Sequence, residues 1–251
     1  MISIVVPTYN EKDNIRPLLD RIHTALGTIR HEVIFVDDSN DETPQVIEEI
    51  AGEDDTVRLH HREDEKGLAT AVVKGFSLAQ GEFVACMDAD LQHPPEVLKH
   101  MYAAMLAGAD MAIPSRFIPG GSDGGLNIWR KFVSGTARYI GKIILPCLRS
   151  ISDPTSGLFM IKSDLLKDAK LNPIGWKIMI EVLAMCQVKK VLETPYVFHD
   201  REAGESKLST QVTIEYLKQV FSLRKHAANN GKGMKIIRWS ETKLNEKLNE
   251  L

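Results

Sequence analysis

The sequence has little cysteine, and its few cysteines are poorly placed for cross-linking or for zinc binding. It contains 3 cysteines among 251 residues, and they stand far apart as Cys86, Cys147 and Cys186. This spacing forms neither a disulfide framework nor a zinc-binding pattern, and it is typical of a reducing compartment. We expect the three thiols to behave as small buried hydrophobic groups.

Long hydrophobic runs are missing as well. No window reaches the roughly 18 unbroken apolar residues that a membrane-spanning helix needs. The N-terminal stretch Met1–Pro7 has no basic segment, and its proline comes too early for a signal peptide. The chain is therefore predicted to be cytoplasmic, either soluble or bound to a membrane surface.

The sequence also lacks an excess of one charge and a glycine-rich phosphate loop. Its 31 basic and 34 acidic residues leave a net charge of −3, which argues against a general nucleic-acid binder. The turn after the first predicted strand, Pro7–Glu11, contains none of the glycines of a dinucleotide-binding turn, and no Walker-type loop occurs elsewhere. These two absences exclude the commonest nucleotide-binding signatures.

What the sequence does contain is a regular alternation of strand-like and helix-like segments. Short apolar runs alternate with stretches whose apolar residues have helical spacing; the runs are Ile2–Val6, Val33–Val36, Val57–His61, Phe83–Met87 and Met111–Pro114. Such alternation predicts an α/β fold with a mostly parallel sheet and helices on both faces. Ligands in these folds bind beyond the carboxyl ends of the strands.

Acidic residues follow the most buried of these predicted strands. The run Phe83–Met87 turns abruptly into Asp88-Ala89-Asp90, and two carboxylates there need water, a cation or hydrogen-bond donors. In an extended segment Asp88, Asp90 and Gln92 would point the same way, and three oxygen donors suit Mg²⁺ or Mn²⁺. The alternative is a solvated turn followed by a helix cap, which is the more common meaning of an isolated Asp-x-Asp.

Two other strand ends carry polar groups toward the same predicted edge. Tyr9 and Glu11 follow the first strand, and Asp37 and Asp38 follow the second. Since the carboxyl ends of parallel strands meet at one edge, three such ends together indicate a site more strongly than any one alone.

The second half of the chain is basic, aromatic and rich in loops. Residues 127–149 form a predicted amphipathic helix without any acidic residue, interrupted by Pro146. It either packs its apolar stripe on the domain or lies in a membrane interface with its cations toward anionic headgroups, and the sequence favours neither. A glycine-rich loop, Arg116–Gly125, and a polar loop, His199–Lys207, are long enough to move. A charged tail after a flexible joint is predicted to be helical, with an apolar stripe that includes Ile236, Ile237 and Trp239.

Seven motifs occur in a familiar order: Val6–Glu11, Asp37-Asp38, Met87–Glu96, Ser115–Gly121, Asp153–Phe159, Leu171–Ile178 and Arg201–Leu208. Together they resemble the dolichol-phosphate mannose synthases and related polyprenyl-phosphate hexosyltransferases of glycosyltransferase family 2, over roughly residues 1–225. The resemblance implies a Rossmann-like GT-A fold and an inverting transfer of mannose from GDP-mannose to a polyprenyl phosphate. It divides the chain into a GT-A domain (1–225), with amphipathic helices at 126–150, and a tail (226–251).

The resemblance also implies roles for individual residues. The nucleoside would be held by Pro7, Tyr9, Glu11, Val36 and Asp38, and the ribose and diphosphate by Asp88, Ala89 and Asp90. Asp90 and Gln92, helped by Asp88, would hold Mg²⁺ or Mn²⁺, and Asp90 counts among the catalytic residues with the phosphate-binding Arg116, Arg201 and Lys207. Arg130 and Ser134 would receive the acceptor phosphate.

The expected partners follow from this resemblance: a nucleotide sugar donor, a polyprenyl phosphate acceptor and a membrane surface, but no nucleic acid. Like members without membrane-spanning helices, the chain would act peripherally on a cytosolic membrane face, through surface helices or a membrane-anchoring partner subunit. That face belongs to the plasma membrane in a prokaryote and to the endoplasmic reticulum in a eukaryote.

Other interpretations remain open on the sequence. A family 2 enzyme could use another nucleotide sugar of the UDP-glucose type, or a polysaccharide or other non-lipid acceptor. A non-enzymatic scaffold is disfavoured because it would not need the clustered acids and cations. One departure from the family pattern is the segment Asp37–Thr43, which is one residue shorter than usual and puts base or ribose contacts there in doubt.

Overall fold

The structure, a computed structural model, describes residues 1–125, 128–198, 210–227 and 233–251, except for the side chains of residues 128–134, 137 and 210–213. The first half alternates strands and helices as the sequence predicts. Its elements are β1 (Ile2–Thr8), α1 (Lys12–Leu26), β2 (His31–Asp37), α2 (Thr43–Glu53), β3 (Val57–His61), α3 (Leu68–Leu78), β4 (Phe83–Cys86), α4 (Val97–Leu106) and β5 (Met111–Ser115).

Local sequence explains these elements well. The apolar residues of α1 recur at helical spacing, so one stripe is buried against the sheet: Ile15, Leu18, Leu19, Ile22 and Leu26. Gly27, with φ of 53°, ends the helix in a conformation that favours glycine. The strands β1, β2 and β4 are almost wholly buried, as continuous β-branched and apolar runs in a parallel sheet should be.

The second half adds α5 (Ile128–Ile144), a 3₁₀ turn (Pro146–Leu148), β6 (Phe159–Lys162), α6 (Ser163–Lys167), α7 (Ile178–Met185), β7 (Lys190–Pro195), α8 (Thr210–Ala227), β8 (Lys235–Arg238) and α9 (Glu241–Leu248). The helix α5 ends two residues before Pro146, which lacks a backbone N–H and restricts the residue before it.

The eight described strands form one sheet in the order β3-β2-β1-β4-β6-β5-β7-β8. Only β6 runs antiparallel to its neighbours, so the prediction of a mostly parallel sheet is confirmed. Because β6 begins beside the end of β4, with Phe159 opposite Cys86, the loop before β6 reaches the same sheet edge as the residues after β4 and β5.

Helices cover both faces of the sheet and produce two main hydrophobic clusters. One contains α1 and α4, and the other contains α7 and α8 with the 3₁₀ turn. Gly75 lets α3 lie directly against Val5 of β1, where a Cβ atom would clash with the valine methyl groups. All three cysteines are buried and unpaired, as expected.

The tail differs from the helix predicted for it. Ile236 and Ile237 lie in β8, which pairs in parallel with β7 and extends the sheet, and only Glu241–Leu248 is helical. Trp239 and Leu244 are buried in the cluster that includes α4. The β-branched pair of isoleucines is stabilised by the open edge of β7, a long-range contact that helical periodicity does not reveal.

The amphipathic helix α5 packs one side on the domain and exposes the other, so the first of its two predicted alternatives is seen and a membrane contact stays a prediction. Leu145 just beyond it is fully buried, and Gly141 lies close to the Tyr216 hydroxyl of α8, so one side packs on the domain. Tyr139 and Ile143 are 61% and 72% exposed on the other side. No helix in the described part of the chain is both long and apolar enough to cross a bilayer.

Candidate active site

The acidic segment after β4 is bent rather than extended. The strand ends at Cys86, the chain bends from Ala89 to His93, and Leu91 has a φ of 59°. We expected Asp88, Asp90 and Gln92 to point the same way because they would alternate along an extended segment. That argument is wrong, since the segment is not extended. The left-handed residue between Asp90 and Gln92 interrupts the period of two on which it rested.

A cavity of about 210 Å³ nevertheless lies at this edge of the sheet and brings together several of the predicted residues. Asp88 and Gln92 contribute from the β4 side, Arg116 from the end of β5, and Lys177 from the start of α7. The remaining lining residues include His93, Ser156, Gly157, Trp176 and Phe198. Acidic, amide and cationic groups from three chain segments thus face one space.

The position of Asp88 in this cavity depends on Gly157. A Cβ atom at residue 157 would lie 2.7 Å from Oδ2 of Asp88, so a larger residue there would displace the carboxylate from this position. Nε2 of His93 lies 3.9 Å from the same oxygen. Asp90 is only 8% exposed and does not line the cavity, and its Oδ1 accepts the backbone N–H of Gln92 at 3.2 Å.

Arg116 is held by a buried carboxylate. Its Nε donates to Oδ2 of Asp153 at 2.7 Å and its Nη2 to Oδ1 at 2.9 Å, and the Asp153 side chain is fully buried. Burial alone would lower the pKa of the Arg116 guanidinium, but the hydrogen bonds and charge of Asp153 raise it. The guanidinium also lies 5.2 Å from the centre of the Phe198 ring. Arg116 is therefore a charged and fixed group at the cavity.

Two further titratable groups face the cavity. Nζ of Lys177 donates to the carbonyl of Thr155 at 2.9 Å; burial lowers its pKa, against the effect of the Asp88 charge. Burial, together with the Arg116 and Lys177 charges, lowers the pKa of His93 to about 3. His93 is therefore neutral near pH 7 and a weak base.

At the end of β2 the two aspartates are bound by other parts of the protein. The Asp38 carboxylate accepts Nε and Nη2 of Arg62 at 2.7 and 2.6 Å and the backbone N–H of Gly67 at 2.8 Å. Asp37 accepts hydrogen bonds from the Thr8 and Ser39 hydroxyls and lies 2.8 Å from Nδ1 of His61. These bonds fix the turn beside the end of β1, so Asp38 and Arg62 form one unit at the predicted nucleoside site.

The other predicted nucleoside residues divide into exposed and buried ones. Tyr9 is 41% exposed and Glu11 is partly exposed, so both present side chains at the edge of the sheet. Pro7 and Val36 are paired across β1 and β2 and are buried, and Ala89 is 3% exposed. The structure places these three beneath the surface, and their contact with a nucleoside stays a prediction.

Four predicted residues lie outside what the structure describes. Arg201 and Lys207 fall in residues 199–209, and the side chains of Arg130 and Ser134 belong to the part of α5 that is not described. Their assignment to donor and acceptor phosphates stays a prediction.

The donor set at the cavity fits a hard divalent cation. Among the described residues no three His, Cys, Asp or Glu side chains cluster as a complete metal cage. Mg²⁺ is commonly bound by one or two carboxylates together with substrate phosphates, and it does not need such a cage. Asp88, next to Gly157, and Gln92 both line the cavity. One carboxylate and one amide oxygen there are consistent with that kind of site.

Sequence reasoning missed three groups that the structure adds to the site: Arg62, Asp153 and Lys177. Asp153 and Lys177 stand within motifs already noted, Asp153–Phe159 and Leu171–Ile178, but neither pattern shows which charge they meet. Arg62 stands in no such motif, and only its pairing with Asp38 reveals it.

Comparison with known proteins covers most of the chain. The model of the family "Glycosyl transferase family 2" matches residues 3–169. A dolichol-phosphate mannosyltransferase of Pyrococcus furiosus is 41% identical over 225 residues, covering 89% of this chain but 64% of that protein. The protein of the same name from Saccharomyces cerevisiae is 37% identical over 243 residues, 91% of this chain and 89% of that one. A polyprenol monophosphomannose synthase of Mycolicibacterium smegmatis is 35% identical, with 82% and 80% covered.

Solved structures with lower identity agree on the fold. Glucosyl-3-phosphoglycerate synthase of Mycobacterium tuberculosis, in complex with Mn²⁺, uridine diphosphate and glucosyl-3-phosphoglycerate, superposes with a TM-score of 0.67 at 18% identity, covering 91% of this chain and 80% of that one. Mannosyl-3-phosphoglycerate synthase of Rubrobacter xylanophilus gives 0.68 at 19% identity, with 90% and 74% covered. These likenesses show the GT-A fold alone. The relatives of higher identity show more: the chain is a glycosyltransferase of family 2 and belongs, within that family, with the dolichol-phosphate mannosyltransferases and related polyprenyl-phosphate hexosyltransferases.

Proposed function

We propose that this protein transfers mannose from GDP-mannose to a polyprenyl phosphate, with inversion at the sugar carbon. The observation that carries the proposal is the cavity shared by Asp88, Gln92, Arg116 and Lys177. Carboxylate and amide oxygens beside two cations are what a metal-bound diphosphate requires. The names of the relatives supply the sugar and the lipid class.

Each part of the donor has a matching group in the proposal. The nucleoside lies over Tyr9, Glu11 and the Asp38–Arg62 unit at the ends of β1 and β2, on a backbone shaped by Pro7, Val36 and Ala89. The diphosphate lies along the segment after β4 and reaches Arg116 and Lys177. Arg201 and Lys207, outside the described residues, are proposed to add two further cations.

Mg²⁺ or Mn²⁺ would be held at the cavity by Asp88 and Gln92 and would neutralise charge on the diphosphate when bound. Asp90, which the sequence also predicted as a ligand, does not line this cavity. The side chains of Arg116 and Lys177 also neutralise negative charge on the diphosphate. As the bond to the sugar breaks, negative charge grows on the departing diphosphate, and the fixed guanidinium of Arg116 stabilises it where it develops. Its two bonds to Asp153 keep it in place without reorganisation.

The acceptor needs orientation more than activation. A phosphate monoester has a second pKa of about 6, so it is already largely ionised near neutral pH and needs no strong base. The cavity agrees with this, because His93, with a pKa of about 3, is too weak a base to activate an acceptor that needed activation. Arg130 and Ser134 at the start of α5 are proposed to receive the acceptor phosphate, so that transfer rests on positioning and electrostatics.

The test is a panel of nucleotide sugars, including GDP-mannose and UDP-glucose, incubated with a short polyprenyl phosphate. We expect labelled lipid in the organic phase only with GDP-mannose, a β-configured product, and loss of the signal with EDTA. Transfer from UDP-glucose, or label that stays in the aqueous phase with a polysaccharide acceptor, would replace the proposal by one of the other family 2 activities.

A lipid acceptor calls for a membrane-facing surface, and we infer that α5 and α8 provide it. A groove of about 340 Å³ lies between them, lined by Ile143, Ile144, Pro146, Arg149, Phe221 and Arg224. Ile143 and Phe221 are 72% and 59% exposed, and the two arginines stand beside them. Exposed apolar side chains next to cations match an anionic bilayer surface, which would put the enzyme on the cytosolic face of a membrane.

Replacing Ile143 and Phe221 by serine is expected to weaken binding to vesicles of anionic lipid by at least about tenfold, because two large apolar side chains no longer enter the interface. Co-sedimentation of the purified protein measures this. The control is Leu106→Ser, since Leu106 is 55% exposed on α4, which packs on the other face of the sheet. Failure of the unaltered protein to bind vesicles without another protein would point instead to a membrane-anchoring partner subunit.

A further inference from the structure

The tail strand β8 carries an arginine that reaches the loop before the active site. Nε of Arg238 donates to Oε2 of Glu193 at 2.8 Å and lies 3.0 Å from the Ser152 hydroxyl. Its Nη2 donates to the carbonyl of Ser150 at 2.6 Å. The side chain of Arg238 is 46% exposed, whereas that of Glu193 is fully buried. One exposed residue of the tail thus binds the buried Glu193 carboxylate together with Ser150 and Ser152 of the neighbouring loop.

Glu193 passes this connection to the loop. Its Oε1 accepts the backbone N–H of Ser152 at 2.6 Å and its Oε2 accepts the Ser152 hydroxyl at 2.7 Å. The next residue is Asp153, whose carboxylate holds the guanidinium of Arg116 through two bonds. Two sets of charge-assisted hydrogen bonds, joined by the peptide bond between Ser152 and Asp153, therefore connect the tail to the cavity.

The burial of Glu193 explains why its two hydrogen bonds to Ser152 depend on Arg238. A carboxylate removed from water is stable only when its charge is compensated and its oxygens accept hydrogen bonds. Arg238 is the counter-charge within 4 Å that the structure describes for Glu193. Without it, water would have to enter beside the Glu193 carboxylate, and the two bonds that fix Ser152 would weaken.

A second, independent contact joins the tail to the other side of Arg116. Gly120 lies four residues beyond Arg116 and has a φ of 89°. A Cβ atom there would lie 2.7 Å from Cγ of Glu241, the first residue of α9. The tail therefore lies against both the loop that carries Asp153 and the loop that follows Arg116.

We propose that Arg238 is a positioning residue of the transferase: through Glu193 and Ser152 it sets the place of Asp153, and thereby of the Arg116 guanidinium that meets the donor diphosphate. The last step rests on the function proposed above, whereas the position of the loop does not. The tail of residues 233–251 is then part of the active-site frame, although none of its residues lines the cavity.

The experiment compares Arg238→Gln with Lys235→Gln in the full chain. Lys235 lies on the same strand, is exposed and loses the same charge, so it controls for charge and for damage to β8. Hydrogen exchange should show the Ser152 amide exchanging about tenfold faster in Arg238→Gln alone. With GDP-mannose and polyprenyl phosphate, the KM for the sugar nucleotide should rise about tenfold while the KM for the lipid stays nearly constant. The unfolding midpoint should fall, because buried Glu193 loses its counter-charge, so both assays are run well below it. Arg238→Lys should recover part of the loss.

The outcomes separate the two proposals. Unchanged exchange at Ser152 overturns the positioning role, whatever the enzyme's substrates are. If the Ser152 amide exchanges faster but the KM for the sugar nucleotide is unaltered, Arg238 only holds the loop, and its role in positioning Arg116 is overturned. If the unaltered protein transfers no mannose from GDP-mannose, the proposed function fails. The positioning role of Arg238 is then tested by calorimetry, as a change in the affinity for GDP with Mn²⁺ instead of a change in KM.

Discussion

Replacing Asp88 by asparagine is expected to lower kcat/KM for sugar transfer by about 10²- to 10³-fold, because the change removes a charge that the metal-bound diphosphate depends on. The side chain is 33% exposed at the cavity, so the fold should tolerate the isosteric amide. Transfer assays at saturating Mn²⁺ measure the loss, and calorimetry with Mn²⁺ and GDP should show weaker metal binding. The matched control is Asp55→Asn, which removes the charge of an exposed carboxylate in the turn before β3.

The same site can be tested without changing any charge. Gly157→Ala places a methyl group 2.7 Å from Oδ2 of Asp88 and must displace the carboxylate, whereas Gly52→Ala on α2 meets nothing within 4 Å. We expect at least about a tenfold loss of transfer from the first substitution. The second should be neutral or slightly stabilising. Full activity of both Asp88→Asn and Gly157→Ala would remove the metal-binding role of Asp88.

Replacing Asp153 by asparagine is expected to have the largest effect on stability, about 3–5 kcal/mol in the free energy of unfolding. The Arg116 side chain is 9% exposed and that of Asp153 is fully buried, so the substitution leaves a buried guanidinium without its counter-charge. Urea denaturation measures the change, and transfer should be abolished as well. Asp168→Asn, at an exposed carboxylate after α6, should leave both quantities unchanged.

A double variant distinguishes stability from function at this pair. Arg116→Met combined with Asp153→Leu replaces the buried pair by apolar groups of similar size, which is often neutral for stability. We expect most of the lost unfolding free energy to return while sugar transfer stays absent, since no cation then meets the diphosphate. Recovery of transfer in the double variant would show that Arg116 has no part in the chemistry.

The edge on which the site lies could be predicted from sequence because it follows from local patterns. Continuous apolar runs can be buried only as strands covered on both faces, and polar residues at their ends must then meet at one edge. Asp88 and Gln92 were found in this way and Arg116 through the resemblance to the family, and the structure places all three at the same cavity. The bend at Leu91 was missed, because a left-handed leucine has no signal in composition or periodicity.

The partners of the charged residues could not be predicted, because each pairing depends on how distant segments pack. Arg62 meets Asp38 across β2 and β3, and Arg116 meets Asp153 from a loop 37 residues further on. The same holds for the tail, where Ile236 and Ile237 became a strand because β7 offered an open edge.

By itself the sequence determined the alternating architecture, the acidic edge and the enzyme family, since apolar periodicity and motif order are properties of neighbouring residues. Only the tertiary structure decided which counter-charge each buried ion receives and that the tail lies against the loops that carry Asp153 and follow Arg116. The physical reason is that a charge removed from water is stable only beside a specific partner, and the chain brings that partner near only when it folds.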